Sequence, residues 1–306
     1  MTYSAFQHKH LVLRESLDLF LEKLRPNAGQ SFQTLTQSLF ERPTLEDENQ
    51  IAFAFRQSTS AVKSLLAKNR FHNCRFEQRR NRVERGSLVR RYCEGFEFPQ
   101  RDDYLDLIKK DGRSRIVASF HCGDFLFGSA TLFSLDSKKH KKYVLSLNRS
   151  SHACFANLAA GFGLKAVGPE CELLLYETES SKLSQILRAG NASLLLFCDL
   201  PPGLNETIEV KFLNRQAWFS IGPAILALAN RVPLLPLINY STGNSSYLRL
   251  GNQIEPDLLP SETLREGAKR ITQCLVSLLE SALLESPEQW RFLSLLPRYF
   301  SKPRSG

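Results

Sequence analysis

Apolar positions recur at helical spacing in the N-terminal third and at strand spacing after it. Over residues 11–25, Leu13, Leu17, Phe20, Leu21 and Leu24 share one helical face, and Pro26 follows. Residues 31–70 keep a helical pattern, with a break at Pro43. From about residue 113 the period changes. Strand-length apolar runs, Ile116–Phe120, Tyr143–Leu147, Leu194–Cys198, Pro233–Ile238 and Tyr247–Leu250, alternate with helical stretches over 124–134, 150–161, 180–189 and 221–230. A last helix is predicted over 262–285. Strand-helix-strand alternation predicts an α/β fold, a mainly parallel sheet flanked by helices. The reading is an N-terminal helical extension over 1–112 and an α/β core over 113–306, forming one continuous domain.

No apolar run approaches the roughly 18–20 residues of a membrane-spanning helix, and the N-terminus has no secretory pattern. The seven cysteines are scattered without a CxxC pair, which predicts reduced thiols and neither a disulfide frame nor a zinc site. The net charge of +9 favours an anionic partner. Much of that charge lies in a stretch holding Arg75, Arg79, Arg80, Arg82, Arg85, Arg90 and Arg91, interleaved with apolar residues. This reads equally as a solvated connector and as an anion-binding face. Lys138, Lys139, Lys141 and Lys142 read as a solvated loop, with a carrier or phosphate dock as the sharper alternative. No nucleic-acid-binding signature accompanies the charge, so nucleic acid is not an expected partner.

The candidate chemistry lies where the first core strand ends. His121-Cys122-Gly123-Asp124 follows Phe120 and precedes a helical pattern, and ligands of parallel sheets sit at the carboxyl ends of strands. An imidazole there can take a proton from a hydroxyl, a carboxylate on its other nitrogen would fix the tautomer, and a helix N-terminus offers N–H groups to an oxyanion. The bland alternatives are a structural histidine and, for Asp124, a helix N-cap.

These residues resemble a known family. His121-Cys122-Gly123-Asp124-Phe125 is similar to the His-x-Gly-Asn-Trp-Glu region of the lipid A late acyltransferases of the LpxL/HtrB type, within the lysophospholipid acyltransferase superfamily. Asn148-Arg149, then LSQILRAG with LLLFCDLPPG (183–190 and 194–203), then 210–237, then PEQWRF (287–292) resemble further family blocks in the same order. The resemblance spans about 35–300. It implies transfer of an acyl group from a phosphopantetheinyl acyl carrier protein to a hydroxyl of an anionic glycolipid, lipid A. It implies no metal and no bound cofactor. The family usually carries an N-terminal membrane anchor that is not seen here, so a peripheral location on the cytoplasmic face of the inner membrane is expected, held by basic surface charge. His121 would be the general base, backbone N–H groups near Gly123 would hold the oxyanion, and Arg149 would hold an acceptor phosphate. The family's acidic position falls on Leu126. The orienting carboxylate is therefore Asp124 from a shifted position, Asp199 from a neighbouring strand end, or absent in a degenerate site, ranked in that order. The altered acidic motif and the lack of an anchoring segment resemble the divergent AlmG glycyltransferase branch, which adds glycine to lipid A and confers polymyxin resistance. A glycyl group is thus slightly favoured over a fatty acyl chain. Two other classes stay open: a catalytically inactive lipid- or carrier-binding protein, and a nucleic-acid-binding protein.

Overall fold

The computed structural model describes residues 42–84, 96–135, 140–146, 171–175, 182–203, 206–242 and 245–302. The expected helices over 11–25 and 150–161 lie outside them, as does Arg149. Two helices come first: α1 (Leu45–Phe55) and α2 (Thr59–Glu84). Thr44 and Asp47 form a reciprocal capping box at the start of α1, and Arg56 ends it in the left-handed conformation at φ 52°. Of the predicted helix over 31–70, residues 31–41 lie outside the described residues, and the remainder is split by a C-cap at Arg56.

Strand β1 (Phe96–Glu97) and helix α3 (Arg101–Lys110) follow, then β2 (Arg115–Ser119), α4 (Phe125–Leu135), β3 (Lys141–Ser146), β4 (Cys171–Leu175), α5 (Leu183–Arg188) and β5 (Ala192–Phe197). A hairpin of β6 (Thr207–Phe212) and β7 (Arg215–Ser220) leads to α6 (Gly222–Asn230), β8 (Leu234–Thr242), β9 (Ser245–Leu250) and α7 (Leu264–Glu285). Two 3₁₀ turns (Pro287–Gln289 and Leu293–Leu295) and α8 (Leu296–Tyr299) close the described chain. The main sheet has the order β1-β9-β8-β2-β5-β3-β4, and only the β8–β9 pair in it is antiparallel. The expected α/β architecture, a mainly parallel sheet flanked by helices, is the one observed. Strand β1 comes from the segment read as the helical extension and pairs with β9.

β2 lies near the middle of the sheet, between β8 and β5, and all five of its residues are buried. That explains the apolar run Ile116–Ala118 within it, since a parallel strand covered on both faces needs no polar alternation. Val117 packs in one cluster with Tyr104 and Ile108 of α3 and with Phe125, Phe127, Ala130 and Phe133 of α4. Its neighbours Ile116 and Ala118 point to the opposite face, and α6 packs on β2. Gly128 allows α4 to lie close on β8, because a Cβ there would sit 1.8 Å from the Asn239 side-chain oxygen.

At the start of the parallel strands, Arg115, Ser193 and Lys142 are adjacent in register, and Arg115, Lys142 and nearby His140 are all buried. Burial lowers the His140 pKa from 6.5 to about 4, with Arg115 and Lys142 adding to the shift against smaller opposing effects of Ala192 and Asp111. The fold thus holds a neutral imidazole that the unfolded chain protonates below pH 6.5. The associated stability is complete above that pH and declines as pH falls toward 4. The expected loss is up to about 3 kcal/mol. Equilibrium unfolding across pH 7 to 4 should show a flatter profile for His140→Asn than for the parent chain, and identical slopes would contradict this origin.

Candidate active site

The register of β2 and β5 builds the site. These strands pair Ser119 with Phe197, and the ladder continues as the Cys198 N–H donates to the Ser119 carbonyl at 2.9 Å. Two residues further along each strand come His121 and Asp199, which therefore emerge side by side at the carboxyl edge. His121 Nδ1 lies 2.7 Å from Asp199 Oδ1, and the His121 backbone N–H donates to Asp199 Oδ2 at 2.8 Å. The indole Nε1–H of Trp290 donates to Asp199 Oδ2 at 2.8 Å, and the Tyr299 hydroxyl donates to the Asp199 carbonyl at 2.6 Å. Asp199 is wholly buried, whereas the His121 side chain keeps 13% of its surface. With Nδ1–H directed at the carboxylate, Nε2 carries the lone pair, the arrangement a general base requires.

Three phenyl rings hold the imidazole from the sides. Phe197, Phe125 and Phe292 have centroids 4.4, 4.7 and 4.8 Å from that of His121. The C-terminal segment fixes the backbone. Cys122 forms an antiparallel bridge with Trp290, the Arg291 N–H donates to the His121 carbonyl at 2.8 Å, and the Gly123 N–H donates to the Gln289 carbonyl at 3.0 Å. Among the backbone N–H groups near Gly123, that of Gly123 itself is taken by the Gln289 carbonyl. The glycine is required for shape: its φ is +53°, and a Cβ would lie 3.0 Å from the Asn239 carbonyl oxygen.

Asp124, ranked first as the orienting carboxylate, is directed elsewhere. It ion-pairs with Arg79 of α2 and accepts from Ser246 Oγ at 3.1 Å and Ser241 Oγ at 3.5 Å. The reason is positional. Its backbone carbonyl accepts from the Gly128 N–H, which places Asp124 at the mouth of α4, and its side chain reaches toward β8, β9 and α2 while the imidazole turns to β5. Leu126 is buried in the core cluster.

Helix α2 seals one side. Asn69 Nδ2 donates to the Glu288 and Trp290 carbonyls, and Asn73 Nδ2 donates to the Arg291 carbonyl. Glu77 is buried between Arg80 and Arg291. Burial pushes its carboxyl up, but the two guanidinium groups outweigh it and hold the pKa below the ordinary carboxylate value. His121, Gly123, Asp124 and Phe125 share a cleft with His72, Asn73, Arg75, Phe76 and Arg79 of α2 and with Ser241, Gln289 and Arg291.

Cys122 and Cys198 flank the pair and are buried. Burial, with a further contribution from Asp199, raises both thiols well above their ordinary value. The thiolate needed for a cysteine nucleophile is therefore disfavoured at both positions. No group of histidine, cysteine and carboxylate side chains among the described residues is arranged to hold a metal ion. Trp290 and Tyr299 both bind Asp199. The sequence signal for Trp290 was the PEQWRF block, which does not include Tyr299, and nothing local tied it to a carboxylate about ninety positions away.

The geometry is that of a buried-carboxylate–histidine base at the edge of a parallel sheet. Residues 152–299 match the family model of the bacterial lipid A biosynthesis acyltransferases. That region holds Asp199, Trp290 and Tyr299, and the match supports acyltransferase activity in lipid A biosynthesis. No curated protein matches the chain.

Proposed function

We propose that the protein transfers an acyl group from a carrier-protein thioester to a hydroxyl of lipid A or a related glycolipid. The observation that carries this reading is the Asp199 carboxylate held on Nδ1 of a histidine that faces a cleft. In the proposed step, His121 Nε2 takes the proton of the acceptor hydroxyl as its oxygen attacks the thioester carbon. The new C–O bond gives a tetrahedral oxyanion, which the N–H groups of the first turn of α4 stabilise. The C–S bond then breaks, and the thiolate receives the proton from the imidazolium. Asp199 stays ionised throughout and stabilises that imidazolium.

A glycyl group is favoured over a fatty acyl chain. That preference rests on the resemblance to the glycyltransferase branch, through the altered acidic position at Leu126. Mass spectrometry of lipid A from cells with and without the gene tests both levels. A gene-dependent gain of one glycyl unit supports the full proposal. A gain of one fatty acyl chain keeps acyl transfer and removes glycine, and unchanged lipid A contradicts acyl transfer.

No described helix is long and apolar enough to cross a membrane. We place the protein on the cytoplasmic surface of the inner membrane, drawn by its +9 charge at about 1 kcal/mol per Lys or Arg close to the anionic lipid. Binding to phosphatidylglycerol-containing vesicles should therefore fall steeply as salt rises from 0.05 to 0.5 M, about a threefold drop in screening length. Release only by detergent would contradict a peripheral mode.

A further inference from the structure

We propose that the face of α2 carrying His72, Arg75 and Arg79 is a phosphate-binding subsite for the headgroup of the acceptor glycolipid. This rests on the acyl-transfer reading above and names the part of the substrate that the cleft holds. The three residues are spaced i, i+3 and i+7, so they lie on one side of the helix. They line the same cleft as His121.

Three carboxylates at or near this cleft are already neutralised or withdrawn, while a fourth, Glu288, acts on His72. Asp124 is paired with Arg79 and accepts from Ser246 and Ser241. Glu77 is shared by Arg80 and Arg291. Asp199 is wholly buried behind His121. Arg75 is partly buried and has no carboxylate within ion-pairing distance among the described residues. Arg291 lines the cleft with 8% of its surface exposed, and its Nη1 is buried without a hydrogen-bond partner. Two arginines with unused donors beside the base form a cradle for an anion rather than a self-satisfied network. Burial and Arg75 lower the His72 pKa, against the opposing effect of Glu288, so its imidazole is a neutral hydrogen-bonding group near pH 7.

The guanidinium fork matches phosphate oxygens in a bidentate fashion. The acceptor must place a hydroxyl on His121, so a phosphate on its sugar ring lies within reach of the same cleft. The donor's phosphate stands at the far end of the pantetheine arm. The acceptor headgroup is therefore the occupant.

The test measures binding and turnover separately. Affinity for diphosphoryl lipid A and for enzymatically dephosphorylated lipid A, both in neutral detergent micelles, is measured without donor for the full-length parent chain, Arg75→Ala and Arg75→Lys. The parent should prefer the phosphorylated lipid by at least tenfold. Arg75→Ala should bring the two affinities close to equal at an unchanged melting temperature, and Arg75→Lys should restore part of the preference. In turnover, Arg75→Ala should raise KM for the phosphorylated acceptor by a similar factor and change kcat little. A parent chain without the preference, or an Arg75→Ala variant that keeps it, overturns the proposal. So does an effect confined to the KM of the carrier-bound donor. A parent chain that shows the preference but transfers no acyl group leaves the subsite standing and removes the acyl-transfer reading.

Discussion

Replacing Asp199 with Asn should cut kcat by about 10⁴. The substitution removes the charge that stabilises the His121 imidazolium. It also places an amide opposite three donors: the imidazole Nδ1–H, the His121 backbone N–H and the Trp290 indole. An amide can accept through its oxygen alone, so one or more donors lose their partner in a wholly buried site. A stability loss of about 1–3 kcal/mol should accompany the kinetic effect, so turnover is compared on material shown to be folded. Asp124→Asn separates the two carboxylates. Its loss weakens the bond to Arg79 but leaves the imidazole's own partner in place, so kcat should stay within about tenfold of the parent, far from the loss expected of the orienting carboxylate. If Asp124→Asn fell as far as Asp199→Asn, the orienting role would belong to the carboxylate nearer in sequence. Full activity in both variants would leave His121 without a carboxylate partner.

The second large effect is expected at His121 itself. His121→Ala should abolish transfer, because no other imidazole among the described residues stands on Asp199 and both nearby thiols are held protonated. The ring sits at a strand end and not within the sheet, so the sheet order should survive. The vacancy would be walled by Phe125, Phe197 and Phe292 and floored by Asp199. Free imidazole should fit it and restore part of the turnover in a saturable way. Rescue of this kind identifies a missing base rather than a collapsed pocket. Near-normal turnover in His121→Ala would rule out the proposed base.

What the sequence made legible follows from the range of each interaction. β2, β5 and β8 are buried on both faces, so their apolar runs are continuous and easily seen. The hairpin of β6 and β7 was not read as strands. Its turn places Leu213 and Asn214 at φ 50° and 60° without a glycine, so the usual punctuation is missing. β1 spans two residues and exists only because β9 pairs with it. Helix α3 carries a readable pair, Tyr104 and Ile108, but is short.

The site shows the same division. His121 could be found from a strand end followed by a glycine turn. The choice between Asp124 and Asp199 could not be made locally, because it depends on the β2–β5 register and on Arg79 arriving from a helix 45 positions earlier. Chain proximity favoured Asp124, while the sheet ladder brings Asp199 to the imidazole. Trp290 was noticed only as part of a block, and its indole bond to Asp199 is a purely tertiary fact. The basic stretch could be read as a solvated connector or an anion face, whereas in the fold Asp124 and Glu77 neutralise Arg79 and Arg80 and leave Arg75 without a carboxylate among the described residues.

The most direct measurement is acyl transfer by the purified protein. Lipid A is incubated with glycyl-loaded carrier protein and, separately, with fatty-acyl-loaded carrier protein, and the lipid product is weighed by mass spectrometry. The parent chain should add one acyl unit from at least one donor, with glycine the favoured one, and Asp199→Asn should add almost none in the same time. Lipid A that gains no mass from either donor, with folded protein and intact carrier, would contradict acyl transfer by the His121–Asp199 pair.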